Sequence, residues 1–511
     1  MKLSRKILSV LLSLLLITSI ILWVLAKNIN PETIKQLVSN QITTLTHKKS
    51  HIDGAISWQL FPRPGLKFSK IVIGEEPLKQ DYFLTIDNLI LNLKITPLLR
   101  GKFVFSEVNI DGLKTQVNLD VSKETKSPGD SSHQNSNSPK SDQFAIEKLL
   151  VSHGQLTINK NGHTTVFKNL QLGVEQFNLN STPFTVQIKA RLNEYESNPL
   201  VKANINFKGR LSLTPILFHQ LSSGINQSSI DGQLLLQNVL LNKFAIKKIS
   251  ATIKTNKTDI QFNPFTLSLY NGESIGNMDY AFATQQFSLN QTATNLNGKQ
   301  LMAVLLGHEL ISGNLDYSIH ATIPLKNPAI DTIAGKGAIT IKDGEIYQLN
   351  LDNLLNNLKE KLNNLMNNPK AFDKSIFLND WDSSKYTQGN TPFKLASIQY
   401  QFQKGTLTSD SILLQTDKLQ AKGKGALYLS NMDMNSTLQV ILNSNNTDLN
   451  LQKIQAILGG SFPLVVSGTI EHPEVRPDFK IIGQYWGQLL IKTKLEKPIQ
   501  EIKNRLKEIM N

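Results

Sequence analysis

The stretch VKANINFKGRLSL, Val201 to Leu213, decides the class of fold. Val201, Ala203, Ile205, Phe207, Leu211 and Leu213 alternate with Lys202, Asn204, Asn206, Lys208, Arg210 and Ser212. A period of two puts each set on its own face of a pleated strand, one apolar and one polar. Just upstream, FTVQIKARL repeats the pattern with Phe184, Val186, Ile188, Ala190 and Leu192 against Thr185, Gln187, Lys189 and Arg191. IQYQFQKGTL does so again with Ile398, Tyr400, Phe402 and Leu407, and similar runs surround Ile56, Phe103, Val117, Ile253, Ile339 and Leu427. Asn161-Gly162, Asp231-Gly232, Asn271-Gly272 and Asp343-Gly344 fall among these runs and read as hairpin turns. The chain is therefore expected to be mainly β and largely antiparallel.

The period changes only locally. Ile7 to Ala26 is an uncharged run of twenty residues, long enough to cross a bilayer as a helix. Lys2, Arg5 and Lys6 precede it, which by the positive-inside rule keeps the N-terminus cytoplasmic. Ile7, Leu14, Leu22 and Trp23 are the anchor residues to watch, Trp23 at the far interface. The run exceeds a signal-peptide core and no small-x-small site follows it, so it reads as an uncleaved anchor. Leu351, Leu354, Leu355, Leu358, Leu362, Leu365 and Met366 recur at helical spacing, and Ile499, Ile502, Leu506 and Ile509 form a stripe near the end.

These signals divide the chain into a cytoplasmic tail (1–6), a transmembrane helix (7–26), an N-terminal β region with a leading helix (27–120), a flexible linker (121–143), a central β-sheet (144–345), a helical insertion (346–385), a C-terminal β region (386–480) and an amphipathic helix (481–511). The linker is assigned because VSKETKSPGDSSHQNSNSPKSDQ is polar and Pro/Ser-rich, and cannot repay its ordering entropy.

Chemistry is sparsely signalled. The chain of 511 residues has no cysteine, which excludes disulfides, thiol catalysis and Cys-ligated metals. Its net charge of +14 is dispersed, without the basic run that nucleic acid would need. Gly272-Glu273-Ser274-Ile275-Gly276 spells the G-x-S-x-G of a nucleophile elbow, and His308, His320 and His472 follow in triad order. That motif needs a helix after the serine, whereas NMDYAFATQQFSL looks like a strand; a β-turn is the expected meaning, with a serine hydrolase at Ser274 as a distant alternative. Gly335-Lys336-Gly337 and Gly423-Lys424-Gly425 lack the rest of a P-loop and read as bulges or kinks. His47 and His51 bracket two lysines with no glutamate between them, and Asp380 and Asp382 flank Trp381 without a recognisable cleft; surface positions are expected for both pairs. No enzyme, cofactor or metal is expected.

Many strands thus present apolar faces and few helices exist to cover them. A sandwich, a barrel and an open curved sheet filled by lipid chains all solve that problem, and periodicity does not choose among them.

The order of the pieces resembles the AsmA family of inner-membrane-anchored envelope proteins. GAISWQLFPRPGLKFSKIVIG (54–74) is similar to its opening strand, Pro turn and second strand; LNLKITPLLRGKFVFSEVNIDGLKTQVNL (91–119) to its Pro-Leu-Leu, glycine, Asp-Gly arrangement; IAGKGAITIKDGEIYQLNLDNLL and HPEVRPDF to its C-terminal part. The linker departs from the family. The resemblance implies an elongated, curved antiparallel sheet, an open trough that accommodates phospholipid between the membranes of a Gram-negative bacterium, with the bulk of the chain periplasmic. It implies the inner membrane, phospholipids and other envelope proteins as partners, and no nucleic acid. Support of lipid transport to, and homeostasis of, the outer membrane is the expected role; an envelope scaffold for outer-membrane protein assembly is the alternative. Phe184, Val186, Ile188, Val201, Ala203, Ile205 and Phe207 are the lipid-groove residues this reading selects.

Overall fold

A computed structural model describes residues 35–36, 39–40, 43, 49–59, 63–74, 82–94, 96, 105–118, 146–160, 163–178, 181–195, 201–214, 228–325, 329–367, 386, 388–485 and 487–488. The tail, the anchor at 7–26, the linker at 121–143, His47, Asp380, Asp382 and the last part of the C-terminal helix lie outside the described residues. Among the described residues no helix is long and apolar enough to cross a membrane. The fold is mainly β, with 23 strands and few helices among the described residues. Contacts divide the chain into unit 1, Met1–Asn263, and unit 2, Pro264–Asn511.

In unit 1, β1 (Ser50–Ile52) and β2 (Ile56–Gln59) pair with β3 (Gly65–Ile73), and β3 with β4 (Tyr82–Leu93). Ile52, Leu66, Phe68, Ile71, Ile86 and Leu89 form a small core there. β4 then pairs with both β5 (Phe105–Asp111) and β6 (Lys114–Asn118). These two in turn pair with β7 (Ile146–Lys160), and they do so in parallel. Parallel neighbours are not joined by a two-residue hairpin, and here β6 ends at Asn118 while β7 begins at Ile146. From β7 onward the strands meander antiparallel through β8 (His163–Phe177), β9 (Phe184–Tyr195), β10 (Val201–Ser212), β11 (Ser229–Leu241) and β12 (Phe244–Thr255). β13 (Asp259–Leu269) carries the division between the units.

Unit 2 continues with β14 (Gly272–Ala281), β15 (Gln286–Asn297), α1 (Gly298–Leu306), β16 (Asn314–Pro324), β17 (Ala334–Ile346), α2 (Leu351–Asn367), β18 (Thr391–Gln403), β19 (Thr406–Gln415), β20 (Leu419–Tyr428), β21 (Asp433–Leu442), α3 (Leu449–Ile457), β22 (Phe462–Gly468) and β23 (Pro473–Pro477). From β14 to β23 every sequential pair is antiparallel. Since β15, β17 and β21 therefore run the same way, the helices that follow them leave from one end of the strands.

Two of the expected turns are corrected, and Asn161-Gly162 lies outside the described residues. Asp231-Gly232 lies inside β11, where Gly232 pairs with Gly209. A side chain at Gly232 would meet the Phe207 ring, 2.8 Å from Cζ, so the glycine there makes room for an aromatic and does not reverse the chain. Asp343-Gly344 lies inside β17, and Gly344 faces Phe393 in the same manner. The β13–β14 reversal is centred one residue before the expected pair, on Tyr270 and Asn271, both at positive φ (45° and 65°), the backbone that a two-residue hairpin requires.

Candidate functional site

Each unit presents one continuous apolar face. In unit 1, Val151, Leu172, Ile188, Phe207, Leu234 and Ala251 stand opposite one another on successive strands from β7 to β12. A neighbouring row runs Leu149, Val174, Val186, Gly209, Gly232 and Ile253, and a third runs Ala190, Ile205, Leu236 and Ile249. Phe184, Val186, Ile188, Ala203, Ile205 and Phe207 all stand on this face. Val201, at the end of β10, continues the alternation and pairs with Leu241, which is 44% exposed. Phe184 and Val186 are closed off by Val174 and Phe177, the Phe177 and Phe184 rings meeting edge to face at 5.4 Å. Ile188 and Ile205 stay half-buried. The other face carries Lys189, Arg191, Lys208, Arg210, Lys248 and Lys254, all exposed.

In unit 2 the corresponding row is Ser274, Ala293, Tyr317, Ile339, Ile398, Ile412, Gly423, Leu438 and Leu464. Beside it run Met278, Leu289, Ala321, Gly335, Phe402, Leu407, Leu427 and Met434. At one end the face is covered: Leu354, Leu355, Leu358 and Leu362 of α2, with Leu451 and Ile454 of α3, pack on Leu419, Ala421, Val440 and Phe462. Asp448 caps α3, accepting the Asn450 and Leu451 amides, and takes the Lys359 ammonium from α2. The hydrogen bond from Lys359 holds the Asp448 carboxyl below its ordinary value, with the Leu451 amide adding to it. Away from these helices, Met278, Leu289, Ile339 and Ile398 are half-buried.

Aromatic rings replace missing side chains along this face. A Cβ at Gly335 would lie 2.5 Å from Phe402 Cζ, and one at Gly337 would lie 2.6 Å from the Tyr400 hydroxyl. Register is continuous through both glycines, so Gly335-Lys336-Gly337 is no bulge. Gly423-Lys424-Gly425 does face one, in β19, where register shifts between Ser409 and Ile412. Burial raises the Tyr400 phenol above its ordinary value, and the nearby Tyr317 adds to the shift.

Ser274 is fully buried within β14. Its hydroxyl donates to Gln291 Oε1 at 2.7 Å and accepts from the Tyr317 hydroxyl at 3.1 Å, while Gln291 Nε2 donates to the Phe265 carbonyl at 3.1 Å. An elbow serine stands exposed between strand and helix; this one lies inside a strand, engaged by an amide and a phenol. His320 pairs with Asn290, one step out of the apolar register, and is exposed, as are His308 and His472. Sequence order misses this network because its members lie on three strands. A second cluster it misses pins the parallel junction: Ser152 Oγ donates to Asp111 Oδ1 at 2.7 Å, and His153 Nδ1 lies 2.7 Å from the same oxygen. The His153 contact lowers the Asp111 carboxyl most, and Ser152 adds to it. Serine and histidine share one acceptor, so no proton relay runs between them. His51 is exposed on β1. Among the described residues no group of three or more histidines and carboxylates is placed to hold a metal.

Comparison with curated proteins and with solved structures returned no match. The family model for AsmA matches residues 1–253 and 233–412. With the paired strands, the Asp111-Gly112 corner and the glycine-spaced β17 inside that match, the chain belongs to the AsmA family.

Proposed function

We propose that this chain is an inner-membrane-anchored periplasmic protein that accommodates phospholipid acyl chains on its apolar sheet faces and so supports lipid transport to the outer membrane. Membership of the AsmA family supports an envelope-associated role. The observation that carries the finer reading is the continuity of the apolar rows: six adjacent strands of unit 1 present Val151, Leu172, Ile188, Phe207, Leu234 and Ala251 side by side. Burying apolar surface is favourable by roughly 25 cal/mol per Å², or about 0.8 kcal/mol per methylene. Acyl chains lying across such rows gain this energy without a deep specific pocket, and rows of similar aliphatic side chains let them move along the face. The Ser274–Gln291–Tyr317 cluster in the unit 2 face has its hydrogen bonds satisfied internally, so apolar chains pass it without stripping water from unpaired groups.

A photo-crosslinking amino acid at Ile205 tests the reading in cells. Lipid adducts at this position, and none at Lys208 on the opposite face, are expected; equal labelling of both or of neither contradicts it. Protein adducts at Ile205 without lipid support the scaffold alternative instead.

A further inference from the structure

Unit 2 holds a depression of about 550 Å³ lined mainly by residues of its polar face. Its floor is made of small residues, Ser318 and Ala338, which pair across β16 and β17. One wall is a single cross-strand row, Asn290, His320, Lys336, Gln401 and Thr408, running from β15 to β19.

The concavity has a built cause. Register between β18 and β19 shifts after Gln399 and Ser411, and register between β19 and β20 shifts after Ser409, so both neighbours see an extra residue in β19. A bulge of this kind re-aims side chains and bends the strand. Ser409 turns inward, 5% exposed, and its hydroxyl accepts the Ser411 amide at 3.1 Å, which fixes the bulge. Asp410 and Ser411 are left exposed at the rim of the depression.

The lining is chemically uncommitted. Among the described residues the side chains of Asn290, Ser318, Lys336, Gln401, Thr408 and Asp410 have no hydrogen-bond or ion-pair partner. On the apolar face the reverse holds, with Ser274, Gln291 and Tyr317 engaged with one another. Amides and hydroxyls both donate and accept, as does a sugar hydroxyl. Lys336 and Asp410 stand two strands apart, roughly 10 Å, and offset each other, which disfavours a simple anion. Ile319, Gly337 and Tyr400 also border the depression, so apolar surface lies beside the polar row, as the C–H faces of a sugar require. The row crosses five strands, about 20 Å, a span suited to several sugar rings rather than one.

We propose that this depression is a binding site for a neutral oligosaccharide segment. Isothermal titration of the purified full chain in a non-glycosidic detergent, with chitotriose and maltotriose as probes and phosphoethanolamine and inorganic phosphate as charged controls, tests it. At least one trisaccharide binds the wild type, and Ala338→Phe, which fills the floor, weakens that binding tenfold or more. The double variant Asn290→Ala/Gln401→Ala does the same, with thermal melting unchanged because every altered side chain projects toward solvent. Absence of trisaccharide binding to the wild type, binding that survives both variants, or binding of the charged controls alone overturns the proposal.

Discussion

Lys359 of α2 reaches Asp448, the N-cap of α3, with Nζ 2.8 Å from Oδ2. The pair ties together the two helices that cover the apolar face of β20–β22. Asp448→Ala removes cap and charge together and is expected to destabilise α3 by about 1–2 kcal/mol. Asp448→Asn keeps a capping oxygen and should lose only about 0.2–1 kcal/mol. Because the folded carboxyl is held below its ordinary value, its contribution is present above about pH 4 and fades as pH falls through the lowered value. Hydrogen exchange at the Asn450 and Leu451 amides, measured across that range, checks this. Equal exchange in both variants at neutral pH contradicts the assignment.

Ser274→Ala leaves Gln291 Oε1 and the Tyr317 hydroxyl without their shared partner inside the sheet. A cost of about 1–3 kcal/mol in denaturant unfolding is expected, together with unchanged function in cells where the protein still accumulates. A fluorophosphonate probe should leave the wild-type serine unlabelled. Labelling at Ser274 would revive the hydrolase reading.

Legibility followed the range of each interaction. Alternation is local, so Phe184, Val186 and Ile188 were assignable to one face of their strand and Ala203, Ile205 and Phe207 to one face of theirs, and α2 from its leucines; that the two sets share a face depends on register. Glycine dipeptides misled because Asp231-Gly232 and Asp343-Gly344 spell turns, while their glycines answer to Phe207 and Phe393. The β5–β7 and β6–β7 pairings are parallel, and strand periodicity carries no signal for the direction of a neighbour. The Ser274–Gln291–Tyr317 network spans strands 17 and 43 residues apart and depends on register.

The ring over a glycine is testable at Gly337. Gly337→Ala drives a methyl group against the Ser318 carbonyl and the Tyr400 hydroxyl, and a loss of about 1–3 kcal/mol is expected. Adding Tyr400→Leu removes one of the two obstacles, so the double variant should be more stable than the two single effects predict, by about 0.5 kcal/mol or more. Strict additivity in a thermal or denaturant cycle argues against the packing described.

A carboxylate on the unit 1 face should act differently from one on its reverse. Ile205→Asp puts a charge among the half-buried aliphatic rows and is expected to abolish Ile205-region lipid contact and impair function. Lys208→Asp, exposed on the other face, should retain both. Circular dichroism of the two purified variants establishes that each keeps its sheet. Equal impairment by both substitutions contradicts an apolar face with a specific role.

The central claim is that the apolar faces carry lipid, and mass spectrometry of lipids extracted from the purified, detergent-exchanged protein tests it most directly. Phospholipid retained by the wild type and depleted in Ile205→Asp is the predicted result. Wild-type protein with no phospholipid above that of a membrane-anchored control, or equal lipid in the variant, contradicts it.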